Sequence, residues 1–314
     1  MDLSVIIPVH NEETNIELLY NELKSNLKFL KKYEIIFVDD GSFDKSFEIL
    51  EGFSKKDKTL KVIKLKSNYG QSVAIRAGLD ISNGEKIIIL DGDGQHDPKY
   101  IQDFFIKLDS YDVVCNLRRN KTKANKKFLS SIGNQLIRSL FDVRLQDSIG
   151  GMKGLTKQVK ENIYLYGNMH RYLPILASWK GFKVGEQEIV LRERHSGKSH
   201  YKPMKAFRGF IDLLTVKFFV SYSTRPSYIF GSVGLASLGI GSLSLLYLIL
   251  RKFLFGIAMG SNLPMFLLGI LLIILGINFI FFGFLGDMVS YNHMSHLEQK
   301  NYIIHKTLNV KFEK

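Results

Sequence analysis

Short continuous apolar runs, separated by segments of helical spacing, set the pattern of the first 120 residues. Residues 2–9 (Asp-Leu-Ser-Val-Ile-Ile-Pro-Val), 34–38 (Glu-Ile-Ile-Phe-Val), 61–65, 86–90 and 112–116 read as strands. A run that is apolar throughout, rather than at alternate positions, marks a strand buried on both faces of a parallel sheet. Helices are predicted from Asn11 to about Leu30, from about Asp44 to Phe53, over Ser72–Leu79 and over Pro98–Leu108. The acidic pair Glu12-Glu13 suits the positive end of the first of them. Strands alternating with helices imply an α/β fold with a mostly parallel, doubly wound sheet and right-handed crossovers. A further helix is expected over Asn134–Phe141, and no internal repeat is present.

The pattern changes in the last third of the chain. Tyr228–Leu250 and Pro264–Gly286 contain no charged residue, and each runs for 23 residues. At ~1.5 Å per residue either is long enough to cross a ~30 Å hydrocarbon core. The connector between them carries Arg251, Lys252, Gly256, Gly260 and Asn262. Together they read as a transmembrane helical hairpin, with both flanks on one side. Most Lys and Arg lie before residue 226 and after 287, which places both flanks and both termini in the cytosol, at the cell membrane. In Pro203–Tyr222, Lys205, Arg208 and Asp212 share a narrow arc and Phe207, Phe210, Ile211, Leu214 and Phe218 cover much of the rest. That is the pattern of a helix lying in the membrane interface, with packing against the soluble domain as the alternative.

Composition refines this picture in two places. The net charge of +13 over 314 residues suits either nucleic acid or an anionic membrane surface. The hairpin makes the membrane the simpler partner, and the basic residues form no aromatic-interleaved patch of the kind that binds nucleic acid. One cysteine, Cys115, excludes an intramolecular disulfide and fits a reducing compartment. The start of the chain lacks the basic region and long apolar run of a signal peptide.

The candidate chemistry lies where the strands end. Ile87–Leu90 is followed by Asp91-Gly92-Asp93-Gly94-Gln95-His96-Asp97-Pro98, and Glu34–Val38 by Asp39-Asp40-Gly41-Ser42. Open α/β sheets place ligands at the carboxyl ends of their strands, so both acidic clusters should open on one crevice. Asp91 and Asp93 would repel unless a cation sat between them. Such an oxygen donor set suits Mg2+ or Mn2+, whose coordination shell is commonly shared with substrate phosphates. A solvated Asp-Gly turn is the alternative for Asp91-Gly92-Asp93 taken alone. No G-x-G-x-x-G follows the first strand and no G-x-x-x-x-G-K-[ST] occurs, which argues against a dinucleotide enzyme or a P-loop ATPase. Ahead of the hairpin, Arg192, Arg194, His195, Lys198 and Ser199 gather on the Gly-containing stretch LRERHSGKSHY. Arg gives bidentate contacts to phosphate and Lys a compact charge; ordinary juxtamembrane attraction to anionic lipid is the other reading.

The segments SVIIPVHNEE, IIFVDDGSFDKS, NYGQSVAIRAGL and IILDGDGQHDP resemble the successive signatures of family 2 glycosyltransferases. With the hairpin, residues 3 to 290 look like the polyprenyl-phosphate subgroup, the dolichol-phosphate-mannose-synthase-like enzymes. The resemblance implies a GT-A catalytic domain over 1–202, an amphipathic interfacial helix over 203–225, the hairpin over 226–290 and a cytoplasmic tail over 291–314. It places Pro8, Glu12, Asp39 and Asp40 at the nucleotide sugar, with Asp91 and Arg118, the neighbouring Arg119 competing for that last place. Asp91, Asp93 and Gln95 would hold Mg2+ or Mn2+. A segment D-x-x-S-G-F-[RK] beside sugar and acceptor is matched by Asp147, Gly151 and Lys153, with Gly150 and Met152 departing from it. GNMHRYLPILASWKGF (167–182) resembles the acceptor-proximal helix, with His170 and Arg171 as candidates, the histidine equally suited to a structural role. Arg138, Arg171, Arg194, Lys198 and Ser199 are the candidate ligands of the lipid phosphate.

The implied reaction moves a sugar, glucose or a related hexose, from a UDP-sugar to undecaprenyl phosphate with inversion, supplying a lipid-linked sugar for cell-envelope glycans. Asp91, Asp93 and Asp147 are its expected catalytic residues. A processive polysaccharide synthase would carry a Q-x-x-R-W segment, and the single Trp179 does not sit in one. A catalytically silent membrane scaffold is the reading from another class, opposed by the intact carboxylates and the basic stretch. The sequence leaves oligomeric state open, a homo-oligomer included.

Overall fold

The computed structural model describes residues 1–118, 150–163, 169–192, 226–258, 262–295 and 304–310. The predicted helix over 134–141, the interfacial helix over 203–225 and the basic residues Arg194, Lys198 and Ser199 lie outside these, as do Asp147 and Arg138. The chain divides into two units. The first comprises the residues up to Val216 together with Lys300–Lys314, and the second spans Lys217–Gln299.

The first unit is built on one eight-stranded sheet. Its strands are β1 (Leu3–Val9), β2 (Tyr33–Asp39), β3 (Leu60–Leu65), β4 (Lys86–Ile89), β5 (Val113–Arg118), β6 (Lys153–Thr156), β7 (Val184–Ile189) and β8 (Ile304–Leu308), in the order β7-β5-β6-β4-β1-β2-β3-β8. Helices α1 (Ile16–Asn26), α2 (Ser46–Lys56) and α3 (Gln71–Ile81) make the crossovers that keep β1 to β4 parallel. Every residue of β1 is buried, and Val5, Ile7, Ile35, Phe37, Val62 and Ile88 belong to one core with Leu19 and Leu23 of α1 and Leu50 of α2. Burying both faces of the central strands is what their unbroken apolar runs require. Beyond β4 come α4 (Ile101–Lys107), α5 (Lys157–Asn162) and α6 (Leu173–Trp179).

Three departures from the sequence pattern have local causes. Helix α1 begins at Ile16, not Asn11, because the residues between are bonded sideways to the loop after β2. Asn11 adopts φ +55°, its N–H donates to Ser42 Oγ at 2.9 Å, and its Oδ1 accepts from Phe43 N at 2.9 Å. Glu12 N donates to Ser46 Oγ at 2.9 Å. Strand β6 enters antiparallel between β4 and β5, Ile89 opposite Lys153 and Cys115 opposite Lys153. Strand β8 returns from beyond the apolar helices to cover the edge of β3, antiparallel. Its end is held by Asn309, whose amide donates to the carbonyls of Ser54, Asp57 and Leu60.

The second unit is two antiparallel helices, α7 (Ser227–Phe255) and α8 (Leu263–Ser295). Both are long and apolar enough to cross a membrane, and only 17% and 11% of their most apolar windows are buried. A core helix of a water-soluble protein would be mostly covered, so these sides need a non-aqueous surrounding. They meet along small residues: a Cβ on Gly234 would lie 2.7 Å from the Gly276 carbonyl, and one on Gly276 2.7 Å from the Gly234 carbonyl. In lipid, where no hydrophobic force draws helices together, such close van der Waals approach supplies the association.

At the opposite edge of the sheet from the acidic clusters, Glu34 is 1% exposed. Its Oε1 accepts from Ser4 Oγ and Asn83 N, both at 2.6 Å, and Lys61 Nζ stands 2.6 Å from Oε2. Removing one partner of a buried ion pair costs about 3–5 kcal/mol. Glu34→Ala is expected to lose that much in urea unfolding of the detergent-purified chain, followed by the fluorescence of Trp179, which reports the first unit alone. A loss below about 1 kcal/mol would show that the carboxylate is dispensable there.

Candidate active site

Strand order 3-2-1-4 places a topological switch point between β1 and β4, the position where open α/β sheets leave a crevice. The Asp91–Asp93 stretch leaves β4 at this point. A Cβ on Gly92 would lie 2.6 Å from Val9 Cγ1, so the segment passes β1 only with glycine there. Gly94 takes φ +71° and turns the chain toward Gln95.

A cavity of about 340 Å3 opens beside it, lined among others by Gln71, Asp91, Gln95, His96, Arg118, Lys153, His170 and Arg171. Five of the sequence-derived candidates, Asp91, Gln95, Arg118, His170 and Arg171, thus face one space. Asp93 stands next to it, half-buried, its Oδ1 accepting from Gln95 N at 3.1 Å. Pro8 and Asp39 lie in the buried ends of β1 and β2. Asp39 is fully buried; its Oδ1 accepts from Ser42 N at 3.0 Å while Oδ2 has no hydrogen-bond partner and lies 4.0 Å from Lys64 Nζ. Glu12 is half-buried, and its Oε2 accepts from Asn15 Nδ2 at 2.6 Å. Asp40 is engaged within the fold, where its two oxygens accept from Tyr69 N and Gly70 N, each at 2.8 Å.

Four residues join the site that the acidic pattern did not itself point to. Gln71, the first residue of α3, donates through Nε2 to Asp91 Oδ1 at 2.6 Å. His96 is 5% exposed, with Nδ1 3.9 Å from Asp91 Oδ2 and neither ring nitrogen hydrogen-bonded. Burial pushes it below the ordinary histidine value, against the pull of Asp91 and Asp93. Lys153 is buried and donates to the Gly150 carbonyl. Burial depresses its amine too, the Asp91 carboxylate opposing the shift. His170 is held by Ser72 Oγ, 2.6 Å from Nδ1. For Lys153 and His170 the sequence signal was a motif fragment; Gln71 and His96 lie inside the segments NYGQSVAIRAGL and IILDGDGQHDP without having been singled out there.

The segment leading into β6 closes the wall. A Cβ on Gly151 would lie 2.1 Å from Asp91 Oδ2 and 2.5 Å from His96 Cε1, so glycine lets the backbone come against the carboxylate. Gly150 lies as tightly against Asn116, whose Oδ1 accepts from Met152 N at 3.1 Å.

A divalent cation fits the chemistry of these donors. Asp91, Asp93 and the Gln95 amide offer oxygens, the preference of Mg2+ and Mn2+. Among the described residues no three His, Cys, Asp or Glu side chains converge into a closed cage. An open, oxygen-only set of this kind matches a cation that completes its shell with substrate phosphates.

His170 also makes stability depend on pH. Burial first, then the charges of Lys153 and Arg171, push it down to about 3. The unfolded chain takes up this proton near pH 6.5 and the folded chain does not, so stability falls as pH drops below 6.5 toward 3. Relative to His170→Gln, wild type is expected to lose roughly 2 kcal/mol between pH 7 and pH 5 in Trp179-monitored urea unfolding, at about 1.4 kcal/mol per pH unit. Parallel curves for the two proteins would contradict the assignment.

Residues 4–163 match the model of Glycosyl transferase family 2. Among similar proteins, dodecaprenyl-phosphate galacturonate synthase of Rhizobium johnstonii is 30% identical over 97% of this chain and 92% of its own. An undecaprenyl-phosphate 4-deoxy-4-formamido-L-arabinose transferase of Shewanella sediminis is 32% identical over 92% of this chain and 87% of its own. The fold matches glucosyl-3-phosphoglycerate synthase of Mycobacterium tuberculosis, solved with Mn2+, UDP and glucosyl-3-phosphoglycerate, at a TM-score of 0.54 and 15% identity. That match covers 71% of this chain and 82% of the other. A family match running from β1 to the end of α5, and relatives aligned over nearly the whole length, make this chain a member of glycosyl transferase family 2.

Proposed function

We propose that the protein transfers a hexose, glucose or a related sugar, from a UDP-sugar to undecaprenyl phosphate at the cytoplasmic face of the membrane, with inversion at the anomeric carbon. The observation that carries this reading is a single cavity in which Asp91 faces Arg118, Lys153 and Arg171, in a chain that also carries two lipid-compatible helices. Relatives of this chain are named for transfer to dodecaprenyl and undecaprenyl phosphate, and a fold neighbour was solved with UDP and Mn2+. Residues on both sides of the helical pair belong to the first unit, so two crossings return the chain to the side it left. The Lys- and Arg-rich flanks favour the cytosol for that side.

The chemical demands are few. A lipid phosphate is anionic at neutral pH and attacks the anomeric carbon without a dedicated base. The sugar–phosphate bond breaks as the new one forms, and the nucleoside diphosphate leaves. Asp91, Asp93 and Gln95 would hold the Mg2+ or Mn2+, which supplies Lewis acidity to the leaving diphosphate when bound. Arg118 and Arg171 lower the repulsion between the two anions and fix their approach, in a site preorganised before substrate arrives. Asp39 and Pro8 lie where the nucleoside would, Asp39 with one buried oxygen awaiting a donor. Asp147 serves sugar orientation, and Arg138, Arg194, Lys198 and Ser199 complete the lipid-phosphate site. The product feeds cell-envelope glycan modification.

The purified protein with labelled UDP-glucose, undecaprenyl phosphate and Mn2+ is expected to move label into the lipid phase. Absence of lipid label with every nucleotide sugar tried would sink the transferase reading. Asp93→Asn is expected to cut transfer at least ~100-fold while membrane insertion, followed by flotation, stays intact. Retained activity would move the metal elsewhere.

A further inference from the structure

His170 sits in a short turn (Met169–Tyr172), is 7% exposed, and lines the same cavity as Asp91. Its contacts with Ser72 are reciprocal. The backbone N–H of His170 donates to Ser72 Oγ at 3.3 Å, and Oγ stands 2.6 Å from His170 Nδ1. Among the described residues, Nδ1 is the only acceptor within reach of the serine hydroxyl proton. The arrangement that leaves no proton stranded therefore has Oγ–H donating to Nδ1, which puts the imidazole proton on Nε2. Nothing among the described residues accepts from Nε2. A nearly buried donor beside a cavity, with no acceptor among the described residues, points to an acceptor that arrives with the ligand.

We propose that His170 is a specificity-determining residue for the donor sugar, its Nε2–H donating to a hydroxyl or other neutral oxygen of the sugar. The proposal rests on the cavity being the sugar-nucleotide site. The choice of sugar over phosphate follows from the company His170 keeps. Arg118, Lys153 and Arg171 face the same cavity, and charged donors outcompete a neutral N–H for phosphate oxygens. A neutral sugar oxygen needs no charge, and a buried neutral donor rejects sugars that leave it unpaired. Burial keeps the ring uncharged throughout the neutral range, so this donor does not switch with pH.

Two isosteric replacements separate contact with sugar from support of the fold. Asparagine can keep the Ser72 bond, since its amide reaches the Nδ1 position, but offers nothing where Nε2 was. Glutamine reaches the Nε2 position and gives up the Ser72 bond. Calorimetric titrations of the full chain in detergent with Mn2+ would compare UDP, UDP-glucose and UDP-galacturonate. His170→Asn is expected to weaken the preferred sugar nucleotide about tenfold while leaving UDP unchanged, and His170→Gln to stay within about twofold of wild type on both. Equal losses on UDP and sugar nucleotide, Gln weaker than Asn, or no loss in either variant would overturn the proposal. So would a wild type that binds neither sugar nucleotide more tightly than UDP. A wild type that binds none of the three ligands would instead defeat the transferase reading of the cavity.

Discussion

Everything in the site hangs from a carboxylate that does not face the cavity. Asp40, the residue after β2, is almost fully buried, and its two oxygens take the N–H groups of Tyr69 and Gly70. Burial raises its pKa and the two amide bonds pull it back; hydrogen bonds to an ionised carboxylate are among the stronger ones available. The bond fixes the approach to α3, and Gly70 at φ +93° turns the chain into the helix. The next two side chains are then committed. Gln71 reaches Asp91 and Ser72 reaches His170. Four separate parts of the chain meet within one turn of helix because one acid holds that turn in place.

The topology explains why this turn is the right one. After β3 the chain crosses β2 and β1 to add β4 on the far side, and α3 is the connection. The start of α3 therefore lies at the carboxyl edge of the sheet, above the switch point. Glu34, bound to Ser4, Asn83 and Lys61, ties the opposite edge and joins β1, β2, β3 and the approach to β4. At this end Ser4 and Asn83 satisfy Glu34 Oε1 and Lys61 pairs with Oε2. Buried polar atoms without hydrogen-bond partners occur at both ends, Glu34 Oε2 and Thr156 Oγ1 at this one and Asp39 Oδ2 and the His96 ring at the other; what sets the carboxyl end apart is that His96 lines a cavity.

How much of this was legible depended on whether the information was local. Strands β1 to β4 announce themselves because their apolar runs are interrupted only at single positions such as Ser4, Glu34, Lys61, Lys64 and Lys86, and Asp91 and Asp93 because they follow such a strand. The start of α1 was hidden because Asn11, Glu12 and Glu13 have helix-start chemistry but spend their backbone donors on Ser42, Ser46 and Asp44. Strand β6 is four residues, Lys-Gly-Leu-Thr, with a charge at its head; only the gap between β4 and β5 makes it a strand. Strand β8 is half polar because it is an edge, and its partner lies more than 200 residues away. Gln71 and His96 are ordinary residues until folding brings Asp91 to them. Motif reading found the acids and missed what orients them.

The placement of Lys153 shows what that orientation accomplishes. An amine buried in the wall of a cavity is costly, and Lys153 has the Gly150 carbonyl as a hydrogen-bond acceptor and Asp91 as an opposing charge. The two glycines before Met152 make this tolerable, since they let the backbone close against Asn116 and Asp91 and hold the carbonyl where the amine needs it. Asp91 is in turn held by Gln71. Fixed donors and fixed charges need no rearrangement when a ligand enters. Among the described residues lining the space, Arg118, Lys153 and Arg171 stand beside one carboxylate, Asp91. The cost of burying Lys153 is thus met by contacts that also fix Asp91 and the glycine wall at the end of β4.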